Sequence, residues 1–553
     1  MMNINFWNDV KNTKNQNLLV LALIFFFVVF GILSVKDKSI TTDEGSHLHY
    51  GMNILNLDSD RLEVAPGIYD DSKMPIIALN ALPAKIAEGL PGSIAKNLLN
   101  KLIAARLVTI IFSAWIAWLV FQWSRSLYGV MPAFVSLALY ILDPNIIAHS
   151  QLVTTDIYAA GTILLASYSF WKFANTRQLS DGLLSAFALG LSEIAKYACI
   201  VLLPLFVFAL ILHDLPAYIS AYREKGMQGL EHYLTQLAIY IVVGSAFIIA
   251  IINFAFLFNH SFTPLDQYMF LSYPFKFIQS IKFIRDLRIP FPYPYLQGLD
   301  HVIYNERTGA SFDNIYLLGQ LNSGRGFAGY YFIAAGLKVP IATQLVMIVA
   351  TVTYAVSKRL RKTFLKNEVF MLLPVLFYMI YFNFFYNAQI GIRYYLVIFP
   401  LLYVFSGCLF INWAAFSVKQ KMSTFALALY LIGSVASYYP FYLSYFNEFV
   451  WDRKYAYKYL ADSNLDWMQG QYYLDNYMDT HPNAILLPSK PRSGVIIVPA
   501  DFLVGVRPKT DPKLYKWLRD NFQPEGTIAY EYLIFDISPQ ELRQFCSRTP
   551  YCR

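Results

Sequence analysis

The stretch "TTDEGSHLHYG", which begins at Thr41, sets Asp43, Glu44, His47 and His49 close together. A carboxylate held against a reacting hydroxyl is a general base. Paired carboxylates hold a divalent cation through oxygen, and neutral imidazoles are metal ligands. Two imidazoles two residues apart point to different faces of a helix, so one of His47 and His49 lines a site while the other packs or meets solvent.

Single charges are spread along the rest of the chain: Lys73 in "DDSKMPI", Asp143 and Asp156 in "DPNIIAHSQLVTTD", Lys196 in "GLSEIAKY", then Arg325, Lys338 and Arg393. Cations gathered with carboxylates suit a reaction in which negative charge grows on a leaving group. Plainer roles exist for most of them. Asp43 and Asp156 can cap helices, Lys338 can snorkel from a helix end, and Arg325 can be a solvated loop residue. Lys196 is harder to dismiss, because it interrupts two apolar runs where an unpaired charge is costly.

The elements that must position these groups are apolar. Of 553 residues, 56% are hydrophobic, 17% aromatic and only 14% charged, with a mean hydropathy of +0.41; this is a multi-span membrane protein. The net charge of +8 does not point to nucleic acid, because the basic residues collect in short loops between apolar runs. At about 20 apolar residues per crossing, roughly eleven spans can be read, from Leu18–Val35 to Phe425–Tyr439. The run after Leu183 is read as two short helices broken near Lys196, which keeps the basic loops on one side.

Those loops carry Lys11 and Lys14, Arg125, Lys172 and Arg177, Arg223 and Lys225, "SKRLRKTFLKN" from Ser357, and Lys419 with Lys421. They place the N-terminus in the cytoplasm and the long segments 36–101 and 259–338 outside. Residues 1–440 then form the membrane domain and 441–553 an exterior C-terminal domain. In the latter "GVIIVPADFLVG" and "GTIAYEYLIFDI" read as strands and "PKLYKWLRDNF" as a helix, a small α/β unit. "FKFIQSIKFIRDLRI" mixes aromatic and basic residues in a way that suits the headgroup layer. Cys546 and Cys552 can pair if their compartment is oxidising.

In order, "TTDEGSHLHYG", "DDSKMPIIALNALP", "DPNIIAHSQLVTTD", "GLSEIAKY" and "NAQIGIRYYLVIFP" resemble the GT-C membrane glycosyltransferases of the protein O-mannosyltransferase and aminoarabinose transferase superfamily. "PYPYLQGL", "YLLGQLNSGRGFAGYYFIAAGLKVP" and "YFNEFVWDRKYAYKYLADSNLDW" resemble a bacterial branch, the family 39 glycosyltransferases. The resemblance implies a GT-C fold in the cell (inner) membrane. It also implies transfer of a sugar from a polyprenyl-phosphate donor, with inversion, to a hydroxyl of a protein, lipid or glycan on the exterior face.

Carried over residue by residue, it makes Asp43 the base, with Glu44 and Asp156 beside it. Lys73 and Arg393 become contacts of the phosphate, with Lys196 and Lys338 as weaker candidates for the same role. A Mg²⁺ or Mn²⁺ ion on Glu44, Asp156 and His47 is a further expectation. Two departures stand out: the family's Lys-Pro-Pro reads Lys73-Met74-Pro75, and its Gly-Gln-Asp after "DSNLDW" reads "MQG". Asp462 and Asp466 in that last motif can reach over the site from the tail, with a helix cap and an exposed face as the plainer role, favoured over direct catalysis. A transporter or flippase also gathers charge within a bundle, but normally shows paired halves, and the sequence has no such repeat; a non-catalytic scaffold needs no such charges at all.

Overall fold

The computed structural model describes residues 13–65, 68–70, 72–90, 101–309, 314–507 and 511–552; Lys11 lies outside them. The chain is a mostly helical integral membrane protein. Its first helices include α1 (Thr13–Val35), the short α2 (Glu44–Leu55), α3 (Lys101–Tyr128), α4 (Val130–Ile141) and α5 (Pro144–Ser150), with a further short helix over Ala78–Glu88. Then come α6 (Asp156–Thr176), α7 (Leu179–Glu193), α8 (Leu202–Lys225), α9 (Met227–Ala255) and α10 (Tyr293–Thr308). The later helices are α11 (Tyr330–Lys338), α12 (Ile341–Val356), α13 (Val369–Phe384) and α14 (Val418–Ala436).

Among the described residues, five helical stretches are long and apolar enough to cross a bilayer, or up to seven if each of two bent pairs is one span. The bent pairs are α4 with α5, at 62°, and α11 with α12, at 119°. Of the other apolar runs read as spans, two lie in α7 and α13, of 15 and 16 residues, and two in the longer α6 and α14, of 21 and 19 residues. The break expected near Lys196 is present: α7 ends at Glu193, Lys196 is extended, and a 3-10 turn over Tyr197–Val201 leads into α8.

Lipid-facing and protein-facing helices differ in composition. Ala159, Ala160, Gly161 and Ala166 on α6 are buried, small residues that let neighbouring helices approach closely. By contrast α9 is only 17% buried. The stretch Ile392–Phe410 is 83% buried, so the run that begins with Arg393 passes through the middle of the bundle. The segment "FKFIQSIKFIRDLRI" forms helices Tyr273–Ser280 and Lys282–Arg285 with no buried residue, and Phe277, Phe283 and Leu287 are exposed.

The tail holds a four-stranded sheet in the order Ile485–Leu486, Gly494–Pro499, Tyr532–Ile537, Gly526–Ile528, parallel in its first pair and antiparallel thereafter. "GVIIVPADFLVG" is half strand and half helix, since Ala500–Val504 turns helical after Pro499. "GTIAYEYLIFDI" is a hairpin bent at Ala529 and Tyr530, both at positive φ. The helix expected in "PKLYKWLRDNF" covers Lys516–Asn521, and Cys546 is bonded to Cys552.

Candidate active site

Asp43 occupies the N-cap position of α2, yet its side chain makes no capping bond. Its Oδ2 lies 2.9 Å from Nη1 of Arg393 instead. Arg393 starts the buried Ile392–Phe410 stretch, and its guanidinium lies over the Trp467 ring at 4.4 Å and near the Tyr394 ring at 5.4 Å. Its Nε is buried and has no hydrogen-bond partner among the described residues. Burial works to raise the pKa of Asp43, but the charges of Arg393, Lys73 and His47 outweigh it and hold the carboxyl below its ordinary value. Asp43 keeps 28% of its side chain exposed, enough for a small group to reach it.

The one-face spacing of α2 explains the two histidines. Glu44, His47, Tyr50, Gly51 and Ile54 form its buried face, so His47 is buried beside Asp43 and His49 is exposed. Lys73 is buried; its Nζ contacts Ser72 Oγ at 3.0 Å. Its backbone is pinned by Arg61, which donates to the Lys73 carbonyl, to the Tyr197 hydroxyl and, at 3.0 and 3.1 Å, to the Pro294 carbonyl. Gly298 makes this crossing possible, because a Cβ there would sit 2.7 Å from the Arg61 Nη2.

A second ion pair flanks the first. Asp156 Oδ1 accepts from Lys196 Nζ at 2.6 Å, with the carboxylate 3% exposed. Asp156 therefore does not cap α6; Thr155 holds that position. Lys196 also sits 3.9 Å from the centre of the Tyr394 ring, and Tyr394 thus lies between the two cations. Arg393 and His149 are within electrostatic reach of Asp156, and the His149 ring is 6.0 Å from Trp467.

The tail motif "DSNLDWMQG" closes over this arrangement. Asn464 accepts from the Ile392 N–H at 2.9 Å and donates to Tyr330 at 2.9 Å, while Ser463 donates to the Ile390 carbonyl. Thr42 N–H donates to the Trp467 carbonyl at 3.3 Å and Ser39 N–H to that of Gln469 at 3.1 Å. The motif thus ties the loop carrying Asp43 to the strand of chain carrying Arg393. Gly391 is required at the junction: its φ is +105° and a Cβ would lie 2.1 Å from Ser463 Oγ. Asp462 and Asp466 do not face solvent as caps. Asp466 is buried, 3.5 Å from Arg507, and Asp462 is half-buried at positive φ within electrostatic reach of Arg393.

Two expected site residues are committed elsewhere. Glu44 forms a buried pair with Arg106, 2.8 Å from its Nε and 2.5 Å from Nη2, and accepts from the N–H groups of Thr41 and Val153 at 2.9 and 3.0 Å. One residue on from Asp43, it is turned about 100° around the helix and braces the loop from below. Lys338 is 1% exposed, and its ammonium donates to the backbone carbonyls of Leu443 and Asn464, so it does not snorkel. The donor set Glu44, Asp156 and His47 does not form, and no group of three or more His, Cys, Asp or Glu side chains gathers in metal-holding geometry among the described residues. Arg325 is an exposed loop residue, and Asp143 caps α5 by accepting from Asn145 and Ile146 N–H at 2.7 and 3.0 Å.

The structure adds residues that composition alone does not single out. Arg106 carries a sequence signal, as a lone cation inside an apolar span that must have a partner. Arg61, Trp467 and Tyr394 carry none, since their roles depend on contacts far along the chain.

Residues 94–222 match the profile of the dolichyl-phosphate-mannose-protein mannosyltransferase family. The resemblance read from the motifs holds there. The mannosyltransferase-like stretch is under half of the chain and contains Arg106, Asp143, His149, Asp156 and Lys196. No curated protein matches the sequence. Among solved structures, the archaeal oligosaccharyltransferase AglB from Archaeoglobus fulgidus, in complex with an inhibitory peptide and a dolichol-phosphate, is 11% identical with a TM-score of 0.43 over 95% of this chain and 74% of its own. The Archaeoglobus fulgidus oligosaccharyltransferase complex with Zn and sulfate is 13% identical with a TM-score of 0.43, over 76% of this chain and 52% of that one; the chain thus spans about half the length of that structure. ArnT from Cupriavidus metallidurans bound to undecaprenyl phosphate is 12% identical with a TM-score of 0.29, over 95% of this chain and 98% of its own. These overlaps are loose, and the site described above rests on none of them.

Proposed function

We propose that the protein is a membrane glycosyltransferase that moves one sugar from a polyprenyl-phosphate donor to a hydroxyl on a protein, lipid or glycan, on the exterior face of the membrane. The observation that carries this reading is Arg393, a cation paired with Asp43 whose buried Nε has no protein partner among the described residues. Lys73 and Lys196 stand near it on the carboxylates they serve.

The chemistry follows from the charges. The acceptor oxygen forms a bond to the anomeric carbon, and the bond from that carbon to the phosphate oxygen breaks, leaving its electron pair on the phosphate. The hydroxyl proton goes to the Asp43 carboxylate. The phosphate gains one negative charge, which Arg393 and Lys73 stabilise, and Lys196 adds field from the Asp156 side. Asp43 bonded to Arg393 is a weak base. When a donor phosphate takes up the guanidinium, that restraint is relieved, so donor binding raises the basicity of the carboxylate exactly where the acceptor arrives. No step is routed through a metal, because Glu44 is committed to Arg106.

The exterior orientation is supported by the basic loops and by the Cys546–Cys552 bond, which suits an oxidising compartment. The test is transfer of radiolabel by the purified protein from a panel of polyprenyl-phosphate sugars to lipid, glycan and peptide acceptors. Label in a new glycoside supports the reading. Movement of intact donor between leaflets with no transfer would instead favour the transporter reading.

A further inference from the structure

The second exterior segment brings one more carboxylate to the site. Glu306, on α10, is half-buried. Its Oε2 accepts from the Tyr381 hydroxyl at 2.5 Å, and its Oε1 makes no hydrogen bond among the described residues. Asn387 donates to the Glu306 carbonyl at 2.9 Å, which fixes that turn of α10 against the chain leading to Arg393.

Aromatic rings connect this carboxylate to the ion pairs. Tyr381 lies 5.9 Å from Tyr386, and Tyr386 lies 5.2 Å from Tyr394. Tyr394 in turn stands over Lys196 and beside Arg393. Glu306 itself is within electrostatic reach of Lys196. A carboxylate with one oxygen unbonded, beside Tyr381 and joined by a run of tyrosine rings to the cations Lys196 and Arg393, matches what a sugar ring offers: hydroxyls that donate and a face of C–H groups that packs on an aromatic ring.

We propose that Glu306, with the half-buried Tyr381 and Tyr394, is the subsite for the sugar ring of the donor, with the carboxylate accepting from sugar hydroxyls and the buried Tyr386 holding the two rings in place. This rests on the glycosyltransferase reading and extends it to recognition. Burial pushes the Glu306 carboxyl up to about 7, against the opposing pull of the Tyr381 bond, Lys196 and Arg307, so the group is poised between its forms near neutrality.

The test separates sugar from phosphate. Dissociation constants are measured for undecaprenyl phosphate and for the same lipid carrying mannose, glucose or 4-amino-arabinose, with wild type, Glu306→Gln and Tyr381→Phe. Wild type is expected to bind at least one loaded lipid more tightly than the bare one. Glu306→Gln is expected to cut that preference about tenfold or more while leaving bare-lipid affinity unchanged, and Tyr381→Phe to cut it less. An unchanged preference in Glu306→Gln, an equal loss for bare and loaded lipid, or no preference in wild type would each overturn the subsite. If wild type binds no polyprenyl phosphate at all, the glycosyltransferase reading falls and takes the subsite with it.

Discussion

Asp43 and Arg393, 350 residues apart in the chain, are joined by a 2.9 Å contact between Oδ2 and Nη1. The pair sets the resting state of the site: a base restrained by the same cation that a phosphate would need. Removing the cation should therefore have two separable effects. Arg393→Gln is expected to weaken binding of undecaprenyl phosphate by about 10- to 100-fold, the cost of a lost charged hydrogen bond. The low Asp43 pKa also places the acid limb of wild-type kcat/KM below the ordinary carboxylate value of about 4, and Arg393→Gln should move that limb to higher pH. Lipid titration and a pH-rate profile check the two effects independently.

Trp467 supplies the face on which Arg393 rests, 4.4 Å away. A cation over a desolvated indole contributes up to about 2 kcal/mol. Trp467→Leu should lower undecaprenyl-phosphate affinity several-fold, and Trp467→Phe, which keeps a ring, should recover most of it. Equal losses in the two variants would mean that the side chain only fills space.

Glu44 braces the loop through its buried pair with Arg106. Glu44→Gln leaves Arg106 buried without its counter-charge, a change that typically costs about 3–5 kcal/mol. The variant should lose thermal stability in detergent, and adding Mg²⁺ or Mn²⁺ should restore neither stability nor activity. Recovery with metal would return Glu44 to the coordination role.

The tail carries its own pH dependence. Burial, with repulsion from Asp466 and Asp462, drives the Asp501 pKa well up, and burial with Asp466 does the same to Glu531; Arg507 is the cation facing them, 3.6 Å from Asp501. Carboxyls raised in the fold bind protons that the unfolded chain has released, so their contribution is present at low pH and is lost as pH rises from the ordinary range towards the raised values. Limited proteolysis should find the tail tighter at about pH 5.5 than at about pH 8.5, and Asp501→Asn should flatten the difference.

Part of the site is legible because Lys196 stands alone between apolar runs, while Asp43 belongs to a compact polar cluster just after the first one. The structure pairs Asp43 with Arg393 and Asp156 with Lys196, and the break near Lys196 is where the cost of an unpaired charge in a span predicts it. Neighbours in sequence were misjudged for geometric reasons. Glu44 follows Asp43 directly but is turned about 100° from it around the helix, and Lys338 sits at a 119° bend with its ammonium on backbone carbonyls. The sequence marks the tail as a small α/β unit from which Asp462 and Asp466 either reach over the site or cap and face solvent; the structure buries Asp466 against Arg507. No local signal shows that Asn464 and Trp467 reach back to Ile392 and Thr42, because such contacts exist only once the whole bundle is assembled. Roughly eleven spans were read from apolar length, whereas many of those runs are short, bent or 3-10 and buried by protein rather than lipid.

Asp43 as the base is tested most directly by single-turnover transfer from a radiolabelled polyprenyl-phosphate sugar with wild type and Asp43→Asn, alongside donor binding and melting temperature. Asp43→Asn is expected to reduce the transfer rate by about 10²- to 10⁴-fold, with the fold intact and donor bound at least as tightly, since the amide carries no charge to hold Arg393. Transfer at the wild-type rate by a folded Asp43→Asn protein would contradict the base assignment.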